Sequence, residues 1–136
     1  EISGVCQAAL DLAAGHTSAR VQYGRPIASF QAVRHRLAEC HVAIADIASI
    51  LDAAWADGGA WAAAIAKVRA GRAQAEVMRH GVQVLGAMGL TGESEMHRYV
   101  TRAAALDALL GGHRLLTGRI GRTLLSGAPA DPVVEV

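Results

Sequence analysis

The stretch FQAVRHRLAECHVAIADIASIL, residues 30–51, decides the fold. Phe30, Val33, Leu37, Cys40, Ile44, Ile47 and Leu51 recur at spacings of three and four, which lines one stripe of an α-helix and is the seam of an antiparallel bundle. Ser29, immediately before it, is the expected N-cap, its hydroxyl accepting from the first free amides. On the upstream side, Ile2, Val5, Ala9, Leu12, His16 and Ala19 repeat the alternation and predict a helix ending near Arg20. Gly24 and Pro26 make residues 21–29 a connector. Downstream, Asp57-Gly58-Gly59 breaks the pattern. A third seam then runs through Trp61, Ala64, Val68, Gly71, Ala75, Met78, Val82 and Leu85.

The glycine-punctuated run at residues 86–92 ends that helix. Ser94 is placed to cap a shorter one reaching about Leu110, and Gly111-Gly112 separates it from a last helical piece at residues 113–125, with Leu116, Ile120 and Leu124 on one side. Alanine occurs 29 times and aromatic residues make up only 4%, a balance that favours helices packed at close range over sheets. The expected fold is all-α, an antiparallel up-down helical bundle over residues 1–125, followed by a flexible tail at 126–136 that contains two prolines.

Composition excludes several classes of function. The chain has 136 residues, of which 52% are apolar, enough for one core. Thirteen basic and twelve acidic residues leave a net charge of +1, so no concentrated positive field invites nucleic acid. Asp46, Asp52 and Asp57 interrupt the least charged region, and no stretch is long and apolar enough to span a bilayer. Cys6 and Cys40 fit buried, unpaired thiols in a reducing compartment, hence an expected cytoplasmic location. The opening Glu1-Ile2-Ser3-Gly4 runs straight into a helical pattern, and we expect a piece cut from a longer chain.

Chemistry has few obvious seats. The six histidines form no ligand pair at metal-binding spacing, and the carboxylates supply no repeated Glu-x-x-His, so no metal is expected. His16 reads as a structural histidine on an apolar seam. Two clusters stand out. RVQYGRPI, residues 20–27, gathers Arg20, Gln22, Tyr23 and Arg25 about a glycine turn, which suits either a solvated turn or an anion site built from guanidinium forks and an aromatic ring. QVLGAMG, residues 83–89, is by itself a helix C-cap followed by small residues with accessible amides.

In order and separation, the segments RVQYGRPIASFQAVRHRLAE (20–39), QVLGAMGLTGE (83–93) and HRYVTRAAALDALLGG (97–112) resemble the C-terminal domain of acyl-CoA dehydrogenases. That family carries an Arg-x-x-Phe-Gly-Lys/Arg-Pro turn and then a helix opening on an aromatic residue and Gln; Tyr23 stands here for Phe. The resemblance implies a flavoprotein that desaturates acyl-CoA thioesters, with FAD held largely by a neighbouring subunit. It implies that Arg20 and Gln22 approach the pyrophosphate, Tyr23 the adenine end, and Gln31 a polar edge. Residues 83–87, among them Gln83, Val84, Gly86 and Ala87, would face the dinucleotide of the partner chain. Implied partners are acyl-CoA, an electron-acceptor flavoprotein or other acceptor, and further copies or a paired subunit in a homo- or hetero-oligomer. Two departures matter. Ala87 stands where a second glycine is usual, and alignment on Arg102 puts Gly111 where many members carry the glutamate that removes the α proton. No catalytic residue is therefore expected within these residues, and a noncatalytic subunit of a heteromeric enzyme is the alternative reading. Glu39, Glu76, Glu93 and Glu95 lie at neither family position for the base and are expected to be surface or capping charges.

Overall fold

The computed structural model describes residues 1–127; the expected tail therefore lies, beyond Gly127, outside the described residues. Five α-helices follow one another: α1 Ile2–Ala19, α2 Gln31–Asp57, α3 Ala60–Leu85, α4 Met96–Ala108 and α5 His113–Leu125. The all-α antiparallel bundle read from the sequence is the fold, with one addition. A two-stranded hairpin, β1 Val21–Gln22 and β2 Arg25–Pro26, occupies the connector between α1 and α2.

Pair contacts fix how the helices run. Arg36 of α2 meets His80 of α3, Cys40 meets the Val77 carbonyl, and Asp46 meets Arg69. Numbers rise on one helix as they fall on the other, so α2 and α3 are antiparallel and Gln31 stands level with the last turn of α3. Ile2 packs beside Ile47, Ala70 and Ala73, while Cys6 lies by Cys40; α1 therefore runs with α3. The fourth rod is antiparallel to α3, because Met96 rests on Gly81 at one end and Lys67 Nζ donates to the Leu106 and Asp107 carbonyls at the other, at 2.8 and 2.9 Å. The sole lysine of the chain thus closes the C-terminal carbonyls of α4, where a cation also opposes the helix dipole.

The core is built of small and medium side chains: Cys6, Ala9, Leu10 and Ala13 of α1 meet Cys40 and Ile44 of α2, Val77, Met78, Val84 and Leu85 of α3, and Met96 and Ala103 of α4. α3 is the central rod, buried on more than one face. Both cysteines are free and buried, and burial pushes their thiols up, Cys6 to about 12 and Cys40 to about 11, so neither ionises near neutrality.

Several local expectations are corrected. The buried line of α1 is Cys6, Ala9, Ala13 and Thr17, one residue round from the predicted seam, and His16 is only half-buried. Ser29 ends a 3-10 turn, Ile27–Ser29, and Phe30 is the N-cap of α2; its carbonyl receives Val33 N and Arg34 N, so the extended Phe30 backbone starts the helix without a side-chain cap. Ser94 sits one residue further out than a formal cap, yet its buried hydroxyl still accepts Met96 N at 3.2 Å. α4 stops at Ala108, and α5 buries no residue fully, with Leu116 and Ile120 half-covered and Leu124 exposed. Among the described residues, no helix is long and apolar enough to cross a membrane.

Candidate functional site

The hairpin turns on Tyr23 and Gly24, both at positive φ, 54° and 76°. With Val21 opposite Pro26 and Gln22 opposite Arg25, this is a two-residue loop whose handedness matches strand twist, and a glycine satisfies it while tyrosine rarely does. The unusual backbone turns the Tyr23 ring outward, 92% exposed. The base is tied by Arg20 N to His16 O and Ile27 N to Arg20 O, each 2.8 Å. Arg25 stacks over the Phe30 ring at 4.2 Å and Tyr23 meets the same ring edge-on, which fixes the hairpin against the start of α2. Arg25 is thereby engaged. Arg20 is exposed, and its guanidinium makes no ion pair among the described residues.

The second cluster stands at the same end of the bundle, since α1 and α3 both finish there and α2 begins there. Gln83 is exposed on the last turn of α3, Gly86 turns the chain at φ 63°, and Ala87 is exposed in the 3-10 turn that follows. Val84 differs: its side chain lies in the core, so it holds the turn from behind and offers no side chain to a ligand. Gln31 is exposed on the first turn of α2, its amide nitrogen 3.4 Å from His35 Nε2. The fold therefore brings Arg20, Gln22, Tyr23, Gln31, Gln83, Gly86 and Ala87 to one end, although 63 residues separate Arg20 from Gln83 in sequence.

A third cluster was not legible in the sequence. His80, buried in α3, has Nε2 3.2 Å from Glu39 and 3.9 Å from Glu76, and these three residues place ligand atoms within 4.8 Å of one another. Glu39 and Glu76 are thus more than surface charges. Guanidinium groups face both ring nitrogens, Arg36 Nη1 at 3.0 Å from Nδ1 and Arg79 Nη2 at 3.1 Å from Nε2, the nitrogen that also faces Glu39. The arrangement makes a polar tie between α2 and α3 just below the two clusters. The i, i+4 spacing of Glu76 and His80 is the one signal the sequence held; Glu39 joins only through helix register.

Burial, followed by the neighbouring Arg79 and Arg36 charges, lowers the His80 pKa below 6.5 against the opposing pull of Glu39 and Glu76. The unfolded chain takes up this proton near 6.5 while the folded chain resists it, so stability is full above 6.5 and falls as pH drops from there toward the lower folded value. The thermal stability of the wild type is expected to fall on acidification through that window more steeply than that of His80→Gln. Parallel curves for the two proteins would remove His80 as the source.

Away from these clusters, the loop after α4 carries Leu110 at φ 62° and Gly111 at φ 98°. Asp107 clasps it, accepting His113 N at 3.1 Å and His113 Nδ1 at 2.7 Å.

A helical bundle with an exposed arginine hairpin and a glycine-turned helix end at one pole is the class this geometry defines. The family model described as acyl-CoA dehydrogenase, C-terminal domain, matches residues 1–125, and the chain belongs to that family of flavoprotein oxidoreductases. It is 35% identical over 108 residues to acyl-CoA dehydrogenase IpdE2 of Mycolicibacterium smegmatis, a match covering 79% of this chain and 35% of that protein. It is 39% identical over 123 residues to acyl-CoA dehydrogenase FadE34 of Mycobacterium tuberculosis, covering 82% of this chain and 17% of the relative. Among solved structures, the Tcur3481-Tcur3483 steroid ACAD G363A variant superposes with a TM-score of 0.84 at 30% identity, over 93% of this chain and 36% of that one. The glutaryl-coenzyme A dehydrogenase glutaryl-CoA complex gives 0.84 at 25%, over 92% and 33%. The chain thus spans about a third of the length of the IpdE2 relatives it matches.

Proposed function

We propose that this chain is the FAD-contacting and oligomerisation domain of an acyl-CoA dehydrogenase-like flavoprotein that α,β-desaturates acyl-CoA thioesters. One observation carries the reading: the two clusters share one pole of the bundle with their polar groups exposed and Arg20 free of any ion pair among the described residues. The donor set suits a dinucleotide. Arg20 offers a planar fork to diphosphate oxygens, Gln22, Gln31 and Gln83 offer amides to polar edges, and the Tyr23 ring offers a stacking face. Gly86 and Ala87 allow close backbone approach, with Val84 anchoring that turn from the core. Facing outward, these groups suit a cofactor seated on a neighbouring protomer, in a homo- or hetero-oligomer. Bound FAD supplies the hydride acceptor for the substrate β carbon, to be reoxidised by an acceptor flavoprotein or another acceptor.

The α proton needs a base, and here a second reading has a specific observation behind it. Gly111 stands at the family's glutamate position with φ 98°, where an L side chain is strained, next to Leu110 at φ 62°. This backbone favours a noncatalytic subunit whose partner supplies the carboxylate. The deciding experiment adds acyl-CoA anaerobically to the purified flavoprotein and follows flavin bleaching, with and without candidate partner chains. Bleaching of the homomer supports the self-sufficient enzyme, and bleaching only with a partner supports the paired subunit. Absence of flavin from every assembly overturns both.

A further inference from the structure

Much of the contact between α2 and α3 is apolar, through Cys40, Ile44 and Ile47 on one side and Ala70, Ala73 and Val77 on the other. Apolar contact has no direction, so it holds two rods together without fixing how they slide or turn. Directional links between these helices stand at three levels among the described residues. Asp46 with Arg69 is half-exposed, and the Cys40 thiol, a weak donor, is 4.0 Å from the Val77 carbonyl. The third level is His80, whose side chain is only 5% exposed. From α2, Arg36 reaches Nδ1 at 3.0 Å and Glu39 reaches Nε2 at 3.2 Å; from α3 itself, Arg79 and Glu76 stand at 3.1 and 3.9 Å from Nε2. This level is also the one nearest the two clusters. Gln83 follows His80 by three residues, about 4.5 Å of helix, and Gln31 precedes Arg36 by five, about 7.5 Å.

We infer that His80 is a positioning residue for the pole that carries the two clusters: it meets no cofactor itself, and its grip by both helices sets where Gln31 stands against Gln83. The inference rests on the flavin reading above, in which those two amides serve one dinucleotide. Stability alone does not call for a histidine here, since an apolar side chain of similar volume in place of a buried polar network is often neutral. What the ring adds is register, because its two nitrogens must meet Arg36 and Glu39 at once. Its charge state matters for the same reason. The charges acting on it are Arg36 and Glu39 from α2 and Arg79 and Glu76 from α3, with the Cys40 thiol beside them held neutral. A protonated ring has no lone pair to offer either guanidinium, so acid releases Arg36 and loosens Gln31 from Gln83.

The test titrates FAD into the full-length protein stripped of flavin, with Tm measured on the same samples. His80→Leu removes donor and acceptor together, while His80→Gln keeps one of each and loses the titration. Val77→Ala, three residues away in the core, loosens the packing and leaves the polar contacts in place. In alkaline buffer His80→Leu is expected to bind FAD about 2- to 30-fold more weakly than wild type, with His80→Gln within about twofold of it. Val77→Ala should bind as tightly as wild type despite a lower Tm. Below pH 6.5 the wild type should lose affinity while His80→Gln does not. Equal affinity in wild type and His80→Leu would overturn the inference alone. So would a Val77→Ala protein that loses as much FAD affinity as His80→Leu, because any loosening of the core would then suffice. If His80→Leu does not fold, the pH profile decides, and equal slopes in wild type and His80→Gln count against the inference. Binding of FAD by none of these proteins overturns the flavin reading and the inference with it.

Discussion

Arg20→Ala is expected to empty the flavin site of the assembled protein while leaving the bundle as stable as before. The two halves of that expectation come from the same geometry. Arg20 sits at the C-terminal end of α1, its amide bonded to His16 O, its carbonyl to Ile27 N, and its guanidinium exposed without an ion pair among the described residues. Alanine keeps both backbone bonds, so the stability change should stay within about 0.5 kcal/mol. A charge-assisted hydrogen bond to a phosphate contributes about 1.5–3 kcal/mol, which makes the loss of FAD affinity roughly 10- to 150-fold. Arg20→Lys keeps the charge but not the fork and should fall between the two. Flavin-to-protein absorbance after gel filtration, with Tm on the same samples, reads both quantities. If the alanine variant retains its full flavin complement, the guanidinium does not hold the diphosphate. If it loses flavin and Tm together, the side chain is structural.

How far the sequence carries is clearest by comparing α2 with the hairpin before it. Leu37, Cys40, Ile44 and Ile47 fall on the buried side of α2 as the spacing predicts, because medium and large apolar residues alternate there with charges. α1 is less readable: Cys6, Ala13 and Thr17 face inward and Leu12 and His16 partly outward, since the tight approach to α2, α3 and α4 selects small side chains, a demand that periodicity does not record. Gly24 and Pro26 mark residues 21–29 as a connector, but nothing local announces the two-residue turn, because tyrosine seldom takes the positive φ that Tyr23 adopts. Closure by Ile27 N on Arg20 O, together with the Arg25–Phe30 stack, stabilises what local preference disfavours.

The candidate site divides in the same manner. Each cluster was visible as a local oddity, but their meeting at one pole depends on α1 and α3 running parallel, and only the resemblance joined them in sequence. Of the tie of Arg36, His80, Glu39 and Glu76 only the i, i+4 spacing of Glu76 and His80 was within reach, for the rest needs the α2–α3 register. That tie sits a turn below Gln83 and fixes α2 against α3, and with them Gln31 against Gln83.

Gly71→Ala is expected to be among the most damaging single-methyl changes in the bundle, although alanine is the better helix former. Gly71 is buried in the middle of α3, and a Cβ there would lie 2.5 Å from His113 Cβ and closer still to Asp107 Oδ1. The neighbours cannot give way cheaply. Asp107 is held by two bonds from His113, and the adjacent carbonyls of Leu106 and Asp107 by Lys67. Helix propensity favours the change by about 1 kcal/mol. Overpacking costs about 1–3 kcal/mol, and releasing a partly buried hydrogen-bonded pair adds about 1–3 more. The clash therefore wins, for a net loss of roughly 1–5 kcal/mol, or a Tm lower by on the order of 10 °C. Gly15→Ala supplies the opposite sign: it lies exposed in α1 with nothing within 4 Å of the new methyl, so only propensity acts and Tm should rise slightly. Urea denaturation of the two variants beside wild type measures both. A Gly71→Ala protein as stable as wild type would mean that α5 and the 109–112 loop are not clamped onto α3, and would remove the support that this clasp gives to the strained Leu110–Gly111 backbone.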